Sequence, residues 1–462
     1  MVKYMEDMKN GKRSSFSGKL GYVLAAAGAS VGLGNIWRFP YLAAKYGGGI
    51  FLIIYIVLAL TFGYTMIVAE TAIGRMTRKS PVGAFKSFGK KKWLSFGGWI
   101  NAVIPVLIVP YYSVIGGWVI KYLVEYFRGN AKLLAEDGYF TDFISNGVST
   151  ELCFVAFCAF TLIIIFAGVQ NGIERVSKIM MPILIVLSVI IAVYSVTRPG
   201  ALAGVKYFLV PNVKNFSWMT VVSAMGQMFY SLSIAMGILI TFGSYMKKDT
   251  AIEDSTRNVE IFDTGIAIMA GLMIIPAVFT FSGGDPDTLQ AGPSLMFITI
   301  PKVFQNMGFG TVIGIVFFLL VLFAAVTSSI ALTESAVSTF EDELGWGRKK
   351  ATVLVGVIML ALGSLSSLGY GPLAGIKIIG MQFLDLFDFL TNSVMMPIAA
   401  LITSLLVSRV VGIDKIEEEI IHGESAFRRK KVFVVMIKYL CPVFAIIILL
   451  SSVANALGWI KM

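Results

Sequence analysis

The 462-residue chain has few charged side chains and a single histidine. Charged residues make up 14% of the sequence, compared with roughly 25% in an average soluble protein. The histidine, His422, lies in the charged segment 417–431, and no cysteine, histidine and acid cluster accompanies it in the sequence. A hydrolase needs a nucleophile beside a base, and a metalloenzyme needs clustered ligands. We therefore predict that the protein is not an enzyme and uses no organic cofactor.

Cysteines and long polar segments are also scarce. Cys153, Cys158 and Cys441 lie inside apolar stretches, without the spacing of a disulfide framework or a metal site. No polar block of domain length interrupts the chain, so residues 1–462 are predicted to form a single polytopic domain. The basic N-terminus lacks a small-residue cleavage site, and no removable signal peptide is expected.

Long apolar runs, in contrast, fill the sequence, and the mean hydropathy is +0.81. A helix needs about 20 apolar residues to cross a bilayer. Marking such runs predicts an all-α integral membrane protein with eleven transmembrane helices, embedded in the lipid bilayer. The predicted spans are 18–43, 50–74, 96–127, 152–168, 175–196, 217–245, 258–282, 300–340, 350–368, 375–407 and 431–458.

Lysine and arginine alternate between the loops, which sets the expected orientation. Basic residues occur in the N-terminal tail and then at 75–92, 247–248, 348–350 and 428–431. By the positive-inside rule these segments are cytoplasmic, whereas the acidic segment Gly284–Asp287 and the C-terminus lie outside. The net charge of +11 is therefore explained by topology. Because the basic residues are dispersed over loops, no nucleic-acid partner is predicted.

The first span contains a segment that a continuous lipid-facing helix would not have. Residues 28–40 read GASVGLGNIWRFP, with three glycines, an asparagine, an arginine and a proline. Unpaired backbone groups are tolerated at membrane depth only where they are buried in protein or face a wet cavity. Broken helices of this kind are typical of the central binding sites of secondary transporters.

A similar interruption, QMFYSLSIAMG at residues 227–237, lies in the sixth span. Two broken helices five spans apart are what a five-plus-five inverted repeat requires. We predict a first repeat over 18–196, an inverted second repeat over 217–407, and an additional span at 431–458. The two breaks are expected to face each other.

Four segments together resemble signature sequences of the neurotransmitter:sodium symporter family. They are residues 28–40, YGGG at 46–49, residues 227–237 and FAAVTSSIA at 323–331. The resemblance runs from Arg13 to Asp388 and is to the shorter, eleven-span prokaryotic amino-acid transporters. It implies the LeuT-type fold, with discontinuous helices 1 and 6. It also implies sodium-coupled uptake by alternating access across the plasma (cytoplasmic) membrane of a bacterium, with the N-terminus cytoplasmic.

The resemblance implies two sodium sites built from oxygen ligands. One uses an asparagine side chain, hydroxyls, carbonyls and an acid, at Ser30, Asn35, Ser231 and Asp263. The other uses the residues Gly28, Val31, Ala324, Thr327 and Ser328. Taken alone, Thr327 and Ser328 are as readily explained as helix-packing hydroxyls.

Asp263 departs from the family pattern, in which an asparagine is usual. An acid inside a membrane span is costly and usually functional, although an acid near the cytoplasmic helix end is an alternative interpretation. Family members that need chloride use it to balance the sodium charges. We therefore predict that Asp263 supplies this negative charge and that uptake is independent of chloride.

The resemblance further implies where an amino acid binds. Backbone groups at the breaks and the Tyr112 hydroxyl would bind its carboxylate and amino groups, and apolar residues would line its side-chain pocket. The predicted substrate residues are Ala29, Ser30, Leu33, Gly34, Ile108, Tyr112, Tyr230, Ser231, Ser233, Met236, Ser328 and Leu332. Because Ala29 stands where amine-type relatives carry an acid, a zwitterionic amino acid is favoured. The apolar pocket, in which Met236 can adapt to large rings and Gly34 leaves room, predicts a hydrophobic or aromatic L-amino acid, with tyrosine, tryptophan and leucine as leading candidates.

Charged residues at the two ends of the site are predicted to act as gates. Arg38 and Asp388 form the outer pair, directly or through water, with Gln227 helping to position Arg38. Arg13 and Asp342 form the inner pair. Glu70 is predicted to hydrogen-bond the broken part of span one.

Two other classes remain open from the sequence. Discontinuous helices and hydroxyls also line the pores of ion or solute channels. A substrate-sensing receptor on a transporter fold would bind its ligand without moving it.

Overall fold

A computed structural model describes residues 13–282, 293–456 and 459. Within these ranges every regular element is helical, apart from two isolated β-bridges, Gly48–Pro211 and Ile378–Met381. Helices satisfy all their backbone hydrogen bonds internally, which a chain this apolar needs in hydrocarbon. The N-terminal tail up to residue 12, the segment Gly284–Asp287 and residues 457–458 of the last predicted span lie outside the described residues.

Thirteen labelled helices organise the described part of the chain. They are α1 (Lys19–Ser30), α2 (Gly34–Lys45), α3 (Gly49–Thr77), α4 (Lys92–Phe127), α5 (Gly147–Phe166), α6 (Val169–Val196), α7 (Trp218–Ser231), α8 (Ile238–Ser244), α9 (Ile252–Phe281), α10 (Gly310–Leu344), α11 (Arg348–Leu368), α12 (Phe383–Val411) and α13 (Lys430–Asn455). Nine of them are long and apolar enough to cross a membrane, namely α3 to α6 and α9 to α13.

The remaining four helices form two broken spans. α1 and α2 are bent by 53° where the helix ends at Ser30. α7 and α8 are separated by residues 232–237, in which Ser233, Ala235 and Gly237 adopt positive φ angles of 53°, 59° and 69°. Counting α1 and α2 as one bent span, ten spans of the described chain are long and apolar enough to cross a membrane. α7 and α8 are not among them, so the total of eleven spans stays a prediction, although both interruptions fall in the predicted segments.

Two predicted span boundaries are wrong. The eighth span begins at Gly310 rather than 300, because a separate helix, Ile300–Asn306, ends before Phe309, whose φ is +62°. The tenth begins at Phe383 rather than 375, since Ile379 and Gly380 have positive φ angles of 54° and 75°. In both places apolar residues continue through a turn, so hydropathy alone does not mark the helix end.

The broken helices lie inside the bundle. α8 packs against α3 so closely that a Cβ atom on Gly243 would come within 2.9 Å of the Thr71 Cα atom. Small residues at such crossings allow close backbone approach in membrane helices. The outer surface is apolar: on α6, for example, Ile179 and Val186 are both 56% exposed.

Basic side chains gather at one end of the bundle, which we call the basic face. It carries Arg13, Lys86, Lys247 and Arg429, whose ion pairs or hydrogen bonds join loops and helix ends from most of the chain. Arg38 lies at the opposite end of the first broken span. The two ends of the site described below therefore differ in the charged groups that close them.

Candidate functional site

The two helix breaks meet around a small cavity of about 30 Å³. This is space for about two water molecules. The lining contains all twelve predicted substrate residues, together with Gly32 and Asn35. Residues from the two breaks face side chains of α4 and α10 across it. The lining residues are Ala29, Ser30, Gly32, Leu33, Gly34, Asn35, Ile108, Tyr112, Tyr230, Ser231, Ser233, Met236, Ser328 and Leu332.

Hydroxyl groups hold the backbone that the first break leaves unpaired. The Leu33 N–H donates to the Tyr112 hydroxyl oxygen at 3.3 Å. The Ala29 carbonyl accepts from the hydroxyls of Ser233 at 2.9 Å and Ser328 at 3.1 Å. The N–H groups at the start of α2 carry the positive end of its dipole. The cavity thus offers donors suited to a carboxylate and acceptors suited to an ammonium group.

Glycine at position 34 allows Tyr230 to close over the cavity. A Cβ atom on Gly34 would collide with the Tyr230 ring. The other side of that ring faces a larger vestibule of about 530 Å³, and the Arg38 guanidinium lies 5.3 Å from the ring centroid. Of the described residues, Tyr230 alone lines both spaces, so it forms the partition between them.

One group of oxygen atoms lies where α1 ends against α10. The Ser328 hydroxyl donates to the carbonyls of Gly28 at 3.2 Å and Val31 at 3.4 Å. The Thr327 hydroxyl donates to the Ala324 carbonyl at 3.2 Å. Gly28 allows this approach, because its Cβ atom would lie 3.1 Å from the Thr327 Cβ atom. The structure therefore brings together the five residues predicted for one sodium ion, and hard cations prefer such oxygen donors.

A second group centres on Asp263, which is fully buried in α9. Its carboxylate accepts hydrogen bonds from the Asn35 amide at 2.8 Å and the Ser231 hydroxyl at 2.9 Å. The Tyr55 hydroxyl donates to the second oxygen at 2.9 Å. In the described part of the chain no lysine or arginine pairs with this carboxylate. Ser30 lies nearby in the cavity lining, so the predicted ligands of the other sodium ion also come together.

Sequence reasoning did not select Tyr55. Its aromatic ring packs against Phe39 with a centroid separation of 4.9 Å, as any buried tyrosine in an apolar helix would. Only the fold brings its hydroxyl to an acid 208 positions away. The sequence offers no local signal for that partnership.

The prediction for Glu70 is wrong in its partner. Glu70 does not bind the broken part of span one; its Oε1 atom accepts from the Ala235 N–H at 2.7 Å, in the break of the sixth span. Positive φ angles at Ser233 and Ala235 turn this amide toward α3. Among the described residues, the buried Oε2 atom has no hydrogen-bond partner.

The prediction for Gln227 is also wrong. Its Nε2 atom donates to the Gly34 carbonyl at 3.0 Å rather than contacting Arg38. α7 runs beside the start of α2, so the amide reaches the Gly34 carbonyl, which also accepts from the Phe39 N–H. Gln227 therefore links the two broken spans.

Arg38 and Asp388 both line the vestibule but form no direct ion pair within the described ranges. Asp388 instead accepts hydrogen bonds from the Asn392 amide at 2.6 Å and the Tyr111 hydroxyl at 3.2 Å. A direct pair is therefore excluded in this conformation, and a pair through water stays a prediction. On the vestibule side of the site, Arg38 and Asp388 are therefore not joined directly.

The basic face, in contrast, is closed. Arg13 forms an ion pair with Asp342 and donates to the hydroxyls of Ser244 at 3.0 Å and Ser338 at 2.8 Å. Its guanidinium also lies 5.1 Å from the Tyr245 ring centroid. The predicted inner pair is thus assembled, joining the segment before α1 to α8 and α10.

Two buried ion pairs on this face were missed from the sequence. Arg348 binds both carboxylate oxygens of Glu334 at 3.0 and 2.5 Å. Arg75, fully buried at the end of α3, pairs with Glu419 at 2.6 Å. A usable signal was present for Glu334, because an acid within a long apolar span needs a partner.

The described ranges contain no cluster of the side chains that usually bind a catalytic metal. No group of three or more histidine, cysteine, aspartate and glutamate side chains is arranged to hold a metal ion there. The oxygen groups at the breaks contain one carboxylate, from Asp263, and are otherwise built from neutral donors. Oxygen donors of this kind are ligands that hard cations accept.

Comparison with known proteins identifies relatives along nearly the whole chain. A family model described as the sodium:neurotransmitter symporter family matches residues 13–137 and 140–458. A sodium-dependent transporter of Bacillus subtilis (strain 168), YhdH, is 34% identical over 450 residues, covering 96% of this chain and 99% of its own. The human sodium- and chloride-dependent GABA transporter 2 is 26% identical over 474 residues, covering 88% and 75%.

A solved structure has a similar fold. The crystal structure of MhsT in complex with L-phenylalanine matches with a TM-score of 0.85 and 34% sequence identity. The match covers 95% of this chain and 100% of MhsT. The helical architecture described above is therefore shared over essentially the full length of both proteins.

Proposed function

The chain belongs to the sodium:neurotransmitter symporter family, and on this premise we propose that it takes up a hydrophobic or aromatic L-amino acid together with sodium by alternating access. The protein is a multi-pass membrane transporter with the LeuT-type fold. The observation that carries the proposal is the small cavity between the two helix breaks, lined by every residue predicted to contact substrate.

The chemistry of the lining favours a zwitterion. Its N–H and hydroxyl donors at Leu33 and Tyr112 suit a carboxylate, and the Ala29 carbonyl suits an ammonium group. Among the described lining residues there is no aspartate or glutamate, so an amine without a carboxylate would lack a counter-charge. An amino acid carries its own carboxylate, which supplies that counter-charge.

The side-chain end of the cavity favours an apolar substrate. Ile108, Met236 and Leu332 line it, and burying their surface against an aromatic or branched side chain is favourable by about 25 cal/mol per Å². Met236 is flexible and can adapt to large rings. MhsT, the structural relative, was crystallised with L-phenylalanine. The small volume implies that the lining moves apart to admit such a side chain.

Two sodium ions would occupy the two oxygen groups. One would be held by Ser30, Asn35, Ser231 and Asp263, beside the substrate carboxylate, and the other by Gly28, Val31, Ala324, Thr327 and Ser328. A sodium ion that binds residues of both broken spans would stabilise the conformation in which these residues come together. This follows because a ligand shifts a conformational equilibrium toward the state that it binds better.

The two ends of the site support an alternating-access cycle. In the conformation described, Arg13 and Asp342 close the basic face, whereas Arg38 and Asp388 remain apart beside the vestibule. With the basic face cytoplasmic, as the positive-inside rule favours, this arrangement supports an outward-facing conformation with Tyr230 over the substrate site. We propose that the two inverted repeats of the transporter span residues 18–196 and 217–407.

Uptake into proteoliposomes tests the function. The purified protein, screened with the twenty amino acids under an inward sodium gradient, is expected to accumulate a large apolar amino acid saturably and against its own gradient. Passive flux at channel rates would identify a channel, and binding without accumulation would identify a receptor. If glycine or proline competes better than every aromatic amino acid, the proposed pocket is wrong.

Substitution of one hydroxyl tests the position of the substrate. We expect Tyr112→Phe to raise the substrate KM about tenfold, because it removes a hydrogen bond to a charged carboxylate, worth roughly 1.5–3 kcal/mol. Tyr126→Phe is the matched control, since Tyr126 is a buried tyrosine of α4 whose hydroxyl has no hydrogen-bond partner among the described residues. Equal KM values for the two variants would contradict the proposed carboxylate site.

A further inference from the structure

The side chain of Glu174, near the start of α6, binds Ser17, which lies just before α1. Its Oε2 atom accepts from the Ser17 N–H at 2.8 Å, and its Oε1 atom accepts from the Ser17 hydroxyl. The Glu174 side chain is only 2% exposed. Both donors of one residue are therefore bound by a single carboxylate from another helix.

The first turn of α1 is shaped to receive this carboxylate. Gly18, which precedes the helix, provides no side-chain cap. A Cβ atom on Gly21, in the first turn, would collide with the carboxyl group of Glu174. The carboxylate thus lies against the helix start, where the positive end of the helix dipole favours negative charge. Glu174 supplies from α6 the acid that α1 does not have in its own first turn.

Neighbouring contacts reinforce the same junction. Lys178 donates to Glu174 Oε1 at 2.6 Å, and Lys247 donates to the Ser17 carbonyl at 2.8 Å. Gln170, also on α6, donates to the Ser15 carbonyl at 2.7 Å. Lys178 is 39% exposed, so the junction lies at the edge of the protein. Water can therefore replace these hydrogen bonds when the two helices separate.

We propose that Glu174 is a positioning residue that holds α1 closed on the basic face, acting as a second latch beside Arg13 and Asp342. α1 forms the floor of the substrate cavity on that face, so the cavity opens there only if the start of α1 leaves α6. The Glu174 contact must break in that step. The inference rests on the proposed alternating-access cycle, and it assigns to α6 a part in timing the release of substrate.

Cysteine accessibility tests the latch without requiring the substrate. Thr241, on α8, is fully buried and its hydroxyl lies 3.2 Å from the Ser335 hydroxyl. Thr241→Cys, in a background with Cys153, Cys158 and Cys441 replaced by alanine, reports opening of the basic face through its rate of reaction with a water-soluble maleimide. The measurement uses the full-length protein in proteoliposomes, with and without sodium.

We expect Glu174→Ala to speed labelling about tenfold, the scale of one charge-assisted hydrogen bond. It should raise by a similar factor the sodium concentration that gives half-maximal protection, because sodium must then oppose a larger open population. Asp254→Asn is the matched control. It breaks an ion pair with Lys19, whose side chain is 43% exposed, at the same end of α1. We expect Asp254→Asn to change the labelling rate by less than roughly twofold.

Gly21→Ala gives an independent route to the same result. Its added methyl group displaces the carboxylate without changing any charge, so labelling should speed up as in Glu174→Ala. In the double variant the two effects should not add, because both act on one contact. Labelling of both single variants at the parent rate, or at the Asp254→Asn rate, would overturn the latch. If sodium fails to slow labelling of the parent, the sodium coupling is wrong, and the sodium-free rates still decide the latch.

Discussion

Asp263→Asn is expected to abolish most uptake in chloride-free medium and to make the remaining transport respond to chloride. The carboxylate lies fully buried among neutral donors, Asn35, Ser231 and Tyr55. Asparagine preserves the shape but removes the negative charge that would face the sodium ion. Loss of one charge-assisted interaction, about 1.5–3 kcal/mol, corresponds to roughly a 10- to 100-fold weaker apparent sodium affinity.

The measurement is sodium-dependent uptake with chloride or gluconate as the anion. The parent protein should transport equally in both, whereas Asp263→Asn should recover partly in chloride, since a mobile anion can replace the missing charge. Asp254→Asn is a matched control on the same helix, because its carboxylate is 28% exposed and lies on the basic face. A large loss in the parent without chloride, or an unchanged sodium affinity in Asp263→Asn, would contradict the assignment.

Arg348→Met is expected to destabilise the folded protein by about 3–5 kcal/mol, since it leaves the Glu334 carboxylate buried without its cation. Glu334 is fully buried and Arg348 is 5% exposed. The arginine also donates to the Ile165 carbonyl at 3.0 Å, so it ties α5, α10 and α11 together. Thermal unfolding in detergent, followed by the loss of monodisperse protein, measures the effect.

The double variant Glu334→Gln/Arg348→Met separates the cost of an unpaired charge from the loss of packing. It should recover much of the lost stability, because replacing both members of a buried pair is far milder than removing one. Lys349→Met, next to Arg348 but exposed, controls for hydrophobic substitution at this helix start. An unchanged melting temperature in Arg348→Met would contradict the expected cost of leaving Glu334 buried without its cation.

The sequence allowed prediction of the cavity because its lining depends on local backbone chemistry. Glycines at 28, 32 and 34 remove the side chains that would fill the break, and Ser328 and Thr327 bring hydroxyls on one turn of α10. Each of these features lies within one contiguous segment of the sequence. The cavity could therefore be predicted once the two broken spans were expected to face each other. The structure brings all twelve predicted substrate residues to one cavity.

The partners of buried charged groups could not be predicted in the same way. Glu70 binds Ala235, 165 positions away, and Arg75 binds Glu419, 344 positions away. Such pairs depend on the rotation and depth of each helix in the bundle, which hydropathy does not fix. Glu334 differs, because its place within the apolar span 310–344 was itself a signal that a cation must lie nearby.

The close contact between α3 and α8 limits how the protein can move. With Gly74 and Gly243 bringing main chains together, sliding one helix along the other would drive carbonyl groups into Cα atoms. These two helices must therefore travel as one rigid piece. Since α1 is joined to its surroundings at Ser17 by exchangeable polar contacts, thermal motion on the basic face should concentrate in that half-helix while its neighbours stay still.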